Sequence, residues 1–206
     1  MQQANIFTSL LRVPWCYDIF LDAVGANAAR RRFLTTHVRA CPGNKIIDVG
    51  CGPAQMLAWL PAVNYIGVDP SAEYIQAARC RFGARGEFVV GDTGTLMTDR
   101  RLRDADIVMC SGVLHHLDDH EVRSVVQFAY QALKPKGRFV SIEPCWVRKQ
   151  GAVSRWIMSH DRGKNIRTED AYRQLLATAF ADIQTVVYMK AIRIPSVAVA
   201  IECTRQ

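Results

Sequence analysis

The chain has 206 residues, 50% of them apolar and 22% charged, which is the make-up of one ordinary globular domain. A chain of this size buries roughly 70% of its unfolded surface, so composition excludes a disordered tail, a collagen and a disulfide miniprotein. Lys and Arg outnumber Asp and Glu by 26 to 19, a formal charge of +7. That surplus suits acidic partners such as nucleic acid, anionic lipid headgroups or phosphorylated metabolites, or else a solvated basic surface. No run approaches the roughly 18 apolar residues of a membrane-spanning helix, and no secretory signal is expected. The seven cysteines include no C-x-x-C pair; reduced thiols and a cytoplasmic protein are expected, without zinc ribbon or disulfide framework.

In chain order, apolar residues Ile19, Phe20, Ala23 and Val24 predict a helical stretch from Trp15 to Arg39, with Gly25 as a break and Arg30, Arg31 and Arg32 on its wet face. Pro42-Gly43-Asn44 is a turn before a short buried strand, Lys45 to Val49. A helix is expected from Pro53 to Leu60, proline being tolerated in its first turn. Strands then fall at Val63–Val68, Glu87–Val90, Asp106–Cys110 and Gly137–Ile142. Helices lie between them, one capped by Ser71 and running to Arg81, another from Asp118 to Leu133. Alternation of this kind predicts right-handed crossovers and a parallel sheet covered on both faces. An irregular segment, Glu143 to Arg167, precedes a capped helix from Thr168 to Phe180. The last strands, Asp182–Met189 and Ser196–Cys203, are separated only by a turn around Arg193-Ile194-Pro195 and must pair antiparallel. The expected fold is α/β: a doubly wound, mostly parallel seven-stranded sheet with a C-terminal antiparallel hairpin.

Ligands of such a sheet bind beyond the carboxyl ends of its strands. Those ends read Asp48-Val49-Gly50-Cys51-Gly52-Pro53, Asp69-Pro70, Gly91-Asp92 and Cys110-Ser111-Gly112. A G-x-G turn brings a ligand close to backbone N–H groups. A carboxylate at Asp69 can accept from both hydroxyls of a ribose, and Asp92 stands where an acceptor could take an adenine amino group. Acidic residues at successive strand ends fit an adenosine without phosphates, because a pyrophosphate would be repelled.

Ile46-Ile47-Asp48-Val49-Gly50-Cys51-Gly52-Pro53 resembles the glycine-rich first motif of class I S-adenosylmethionine-dependent methyltransferases. Tyr65-Ile66-Gly67-Val68-Asp69, then Asp106-Ile107-Val108 running into Gly112-Val113-Leu114-His115-His116-Leu117, then Leu133-Lys134-Pro135-Lys136-Gly137-Arg138 are similar in kind and in the right order. The resemblance spans about residues 15 to 204. It implies that the Gly50–Gly52 loop, with Asp48 and Cys51, holds the aminocarboxypropyl part of S-adenosylmethionine. Asp69 and Pro70 would take the ribose, Asp92 and Thr93 the adenine, and Ser111 the sulfonium side; S-adenosylhomocysteine would be the product. Position adds Tyr17, closing over the cofactor. Ala54 stands where many members carry a further glycine. The chain then divides into a helical cap (1–40), a cofactor-binding core (41–143), a substrate lid (144–170) and a C-terminal helix and hairpin (171–206).

The mechanism implied is in-line transfer of the sulfonium methyl to a nucleophile, a reaction that depends on alignment and on a deprotonated acceptor. Candidate bases are His115, His116, Glu143 and His160, although capping and orienting the Asp118 helix is the stronger reading of the two adjacent histidines. Trp146, Arg148, Lys149, Arg155, Trp156, His160, Arg162, Lys164 and Arg167 interleave rings with basic groups, which suits an anionic or glycan acceptor or contact with an anionic membrane face. The expected acceptor is a small molecule, a sugar, glycan or lipid-linked intermediate methylated on oxygen. RNA is a weaker reading, because the aromatic proline motif of adenine N-methylation is absent after the fourth strand and Pro144-Cys145 lacks its catalytic counterpart. A dehydrogenase is disfavoured by Gln55, three residues past Gly52 where a third glycine would stand. A non-catalytic binding module remains the third class. His115, His116, His120 and Cys145 fit no metal-binding spacing, so no metal is expected.

Overall fold

A computed structural model of the chain describes residues 25–161 and 163–206. Helix α1 (Ala26–Phe33) continues into one wider π turn, Leu34–Val38. The strands are β1 (Lys45–Val49), β2 (Asn64–Asp69), β3 (Gly86–Val90), β4 (Ala105–Ser111), β5 (Leu133–Trp146), β6 (Arg167–Thr168), β7 (Asp182–Tyr188) and β8 (Ala198–Thr204). Between them lie α2 (Ala72–Phe82), α3 (Thr93–Thr98), α4 (Asp119–Ala132), α5 (Ala152–Ser159) and α6 (Glu169–Leu176). The sheet runs β3-β2-β1-β4-β5-β8-β7, parallel through β5, with β8 antiparallel to both β5 and β7. The doubly wound sheet with its terminal antiparallel pair is therefore as expected, with β6 added alongside the end of β5.

Alternate residues of each central strand enter opposite cores, as the two-residue period of a strand requires. Ile47, Ile66, Val68, Val108 and Phe139 join α4 and α6 on one face. Ile46, Tyr65, Ile107, Met109 and Val140 join α1 and α2 on the other. Near-continuous apolar runs such as Lys45-Ile46-Ile47-Asp48-Val49 are what a strand covered on both faces demands. Helix starts are set by side chains that accept orphan backbone N–H groups. The Ser71 hydroxyl accepts from Tyr74 N, the Thr168 hydroxyl from Ala171 N, and Asp118 forms a reciprocal capping box with Glu121.

Several boundaries differ from the sequence reading, each for a local reason. Gly25 takes φ 77° and stands immediately ahead of α1; the preceding part of the expected helix, and Tyr17 with it, lies outside the described residues. The expected helix at Pro53–Leu60 is a short 3-10 turn, Gln55–Trp59, because Ala54 adopts left-handed φ 54° and delays its start. The segment Glu143–Arg167 is less irregular than expected, since β5 runs on to Trp146 and α5 and β6 follow. The link between β7 and β8 is longer than a tight turn, yet the register Tyr188↔Ala198 closes the pair.

Candidate functional site

At the carboxyl end of β1 the chain turns through Gly50 (φ 71°) and Gly52 (φ 55°). The Gly50 and Cys51 amides donate to Val68 O at 2.8 and 3.1 Å, pinning the loop to β2. A Cβ on Gly50 would lie 2.4 Å from Val113 Cγ2, so this glycine is required by the β4 loop packed against it. Gly52 is the opposite case: a Cβ there would meet nothing within 4 Å. That open backbone is what a ligand needs for close approach. The Asp69 carboxylate, 8% exposed, accepts from Gly52 N and Ser71 N, both at 2.9 Å. One side chain thus ties the first glycine loop to the start of the β2 turn, and its remaining lone pairs can accept ribose hydroxyls.

The other expected cofactor residues fall into distinct settings. Asp48 points inward, its Oδ2 accepting the Tyr65 hydroxyl at 2.6 Å. Burial pushes its carboxyl up to about 7, against the lowering effect of Tyr65 and with a further push from Asp69. The Cys51 thiol packs toward Gly67, where a Cβ would lie 2.7 Å from its Sγ, and burial pushes it well above the usual thiol range. Asp48 and Cys51 therefore support the loop from beneath, and any cofactor contact by Cys51 falls to its backbone. Pro70 and Asp92 are exposed at the β2 and β3 ends, Thr93 opens α3, and Ser111 is half-buried at the end of β4 beside open Gly112 (φ 67°).

On the neighbouring strand ends the arrangement is made by side chains. Glu143, 1% exposed, accepts from Val113 N (3.1 Å) and the Ser141 hydroxyl (3.0 Å) through Oε1. Its Oε2 accepts from His115 N at 3.3 Å and lies 2.7 Å from His115 Nδ1. His115, also buried, stacks on exposed His116 with ring centres 4.0 Å apart, and its Nε2 lies 3.4 Å from Asp161 Oδ1. The structure thus brings together three of the four expected candidates for the acceptor side. His160 stands apart on the lid, its ring on Trp156 and its Nδ1 2.8 Å from Trp156 O.

The lid docks on this cluster through residues the sequence reading missed or misassigned. A Cβ on Gly163 would fall 2.0 Å from His115 Cδ2, so only glycine lets the lid lie flat there. Asn165 N donates to His115 O at 3.0 Å. Arg167, grouped above with the lid cations, is buried instead. It donates to Leu114 O (2.9 Å), Leu117 O (2.8 Å) and Asp119 Oδ1 (2.7 Å), so it clamps the lid and is not offered to an anion. Asp161 carried no signal beyond lying in the lid. Trp146, Arg155, Trp156 and Ser159 line a cleft.

The switch-point sheet, the glycine loop and the acidic strand ends define the architecture of class I S-adenosylmethionine-dependent methyltransferases. Residues 46–137, a little under half of the chain, match the family described as Methyltransferase domain. Among curated relatives, the chain is 31% identical to Ubiquinone biosynthesis O-methyltransferase from Erwinia tasmaniensis over 54% of its own length and 46% of that protein's. It is 26% identical to Trans-aconitate 2-methyltransferase from Mycobacterium marinum over 63% of its own length and 47% of that protein's. The chain thus spans about half the length of these relatives. Among solved structures, the pyocyanin biosynthetic protein PhzM superposes with TM-score 0.71 at 19% identity, covering 97% of this chain and 61% of that one. Human N-acetylserotonin methyltransferase, solved with S-adenosylmethionine, gives TM-score 0.67 at 21% identity over 100% of this chain and 60% of that one. Among the described residues no helix is long and apolar enough to cross a membrane.

Proposed function

We propose that the protein transfers the methyl group of S-adenosylmethionine to an oxygen of a small-molecule acceptor, a sugar, glycan or lipid-linked biosynthetic intermediate. The observation that carries the cofactor half is the Asp69 carboxylate bridging Gly52 N and Ser71 N beside a glycine with open space over it. When bound, the cofactor supplies an electrophilic methyl on a cationic sulfur. Everything else falls to the chain. The glycine loop offers backbone N–H groups to a carboxylate, Asp69 accepts hydroxyls, and Asp92 lies exposed at the β3 end, on the side of the adenine. The absence of any basic residue from the Asp48–Pro53 loop favours a cationic ligand over a pyrophosphate.

On the acceptor side Glu143 fixes the His115 ring by accepting at Nδ1, which leaves Nε2 to take the proton of an acceptor hydroxyl. His116 is exposed alongside it. Small-molecule acceptors appear in the names of the relatives above, and a geranyl diphosphate methyltransferase shares the fold with TM-score 0.69. The Trp146–Arg155–Trp156 cleft is our site for the acceptor's body, the arginine meeting an anionic group or sugar hydroxyls. Val153 and Trp156, 63% and 64% exposed, share the lid helix with Arg155, an arrangement suited to peripheral contact with anionic lipid. Six described cysteines are free thiols, which suits a reducing, cytoplasmic setting.

Calorimetric titration with S-adenosylmethionine, S-adenosylhomocysteine and NADH tests the reading. We expect both sulfur ligands to bind at micromolar strength, and Asp69→Ala to weaken them roughly tenfold or more. Binding of NADH alone would return the dehydrogenase, and no binding of any of the three would leave a partner-binding module.

A further inference from the structure

His115 lies between two carboxylates. Glu143 Oε2 sits 2.7 Å from Nδ1, and Asp161 Oδ1 sits 3.4 Å from Nε2. Glu143 is already committed on both oxygens to N–H and O–H donors, so Nδ1 is the nitrogen that donates. Nε2 then presents a lone pair toward a second carboxylate. Asp161 Oδ1 also accepts from Gly163 N at 2.7 Å, which holds this oxygen in place and leaves a further lone pair for a cation shared with Nε2. The 3.4 Å between Nε2 and Oδ1 matches the edge of a tetrahedron about an ion with bonds of about 2.0–2.1 Å.

A third ligand is in place. The ligand atoms of His115, His116 and Asp161 all lie within 4.8 Å of one another. His116 and Asp161 are exposed, so both can close on an ion without disturbing the core. Nearby Arg167 is paired with Asp119, so its charge is not turned on the three ligands. An outer carboxylate that holds one imidazole nitrogen while the other ligates is the usual support of a metal-bound histidine.

We propose that His115 Nε2, His116 and Asp161 form a three-ligand site for a divalent cation of the zinc class, with Glu143 as the outer carboxylate and a fourth position left open. Three protein ligands with one vacancy are the arrangement of catalytic rather than structural zinc sites. With the ion bound, the vacancy would take the acceptor's oxygen, whose proton leaves to solvent in place of direct transfer to His115 Nε2. Only this use of the vacancy rests on the methyl-transfer reading; binding of the ion does not.

The test titrates chelator-treated protein with zinc chloride by calorimetry and with cobalt chloride by visible absorption. One equivalent per chain is expected, with the strong visible bands of a four-coordinate ion and without sulfur-to-cobalt charge transfer. Asp161→Asn and His116→Ala change exposed side chains. Each should weaken the ion roughly tenfold or more while leaving S-adenosylmethionine affinity unchanged. Absence of ion binding overturns the site, as does binding that neither variant weakens or that carries the sulfur bands of a cysteine site. Failure of S-adenosylmethionine to bind the unmodified protein would instead overturn the methyl-transfer reading and leave the ion titration standing.

Discussion

The two halves of the site are built by opposite means. Beyond β1 to β3 the ligand faces backbone: two glycines, a turn, and one carboxylate that holds an amide 17 residues away in sequence. Beyond β4 and β5 it faces side chains drawn from distant places. Glu143 and His115 are 28 residues apart, and Asp161 and Gly163 come down from a separate lid. A backbone cradle tolerates sequence drift at every position except its glycines and its acid. A cradle of interlocked side chains fails when a buried member is removed, because its partners are left buried and unpaired.

That contrast can be broken most forcefully at Glu143. Glu143→Ala strands two backbone amides, a hydroxyl and an imidazole, and should cost about 3–5 kcal/mol of stability in denaturant unfolding. Retention of native stability would mean that the acceptor half is not interlocked. On the cofactor side the largest effect expected is with pH. The Asp48 carboxyl is raised to about 7, so the folded state binds a proton that the unfolded chain releases near 3.8. Stability from this group is complete below about pH 4 and is lost as pH rises through 7, an upper bound of roughly 4 kcal/mol. Asp48→Asn should flatten the thermal midpoint across that window, and an unchanged slope would assign the titration elsewhere.

Gly50 is where the halves touch. Gly50→Ala brings a Cβ against Val113 at a positive φ and should cost about 2–3 kcal/mol, read by chemical denaturation. Gly163→Ala sharpens the comparison further. It lifts the lid from His115, so the acceptor KM should rise roughly tenfold, about 1.4 kcal/mol, with S-adenosylmethionine affinity unmoved; equal loss on both would join the halves into one unit. The smallest effect is a gain. Ala54→Gly relieves a left-handed alanine that is 1% exposed, and should raise stability by about 1 kcal/mol in the same denaturation assay.

The same contrast explains what could be read from sequence. The succession of strands and helices and the glycine loop follow from local pattern, because Ile46 to Gly52 is contiguous and each residue has one neighbourhood to satisfy. Ala54 already carried a signal, since it occupies a position where glycine is common, and its φ of 54° is the physical reason. The acceptor side was only half visible. His115 and Glu143 were legible as polar residues at strand ends, but their mutual contact depends on the register of β4 against β5. Asp161 and Gly163 depend on how the lid folds back, which no periodicity encodes. Arg167 misled because a buried clamp and a wet cation look alike in a basic run; only its four carbonyl and carboxylate partners tell them apart.

The insertion of β8 between β5 and β7 has a consequence for synthesis on the ribosome. Residues 198–204 are made after all the other described strands, yet they pair along the edge of β5 from Arg138 to Pro144. Until they clear the exit tunnel, that edge stays open beside a nascent sheet whose five parallel strands have already emerged. The carbonyls and amides of the edge are then a template for any passing extended segment. Chains stalled before residue 198 should therefore be the species that chaperones hold and that aggregates recruit, while emergence of the seven-residue β8 covers that edge in one step.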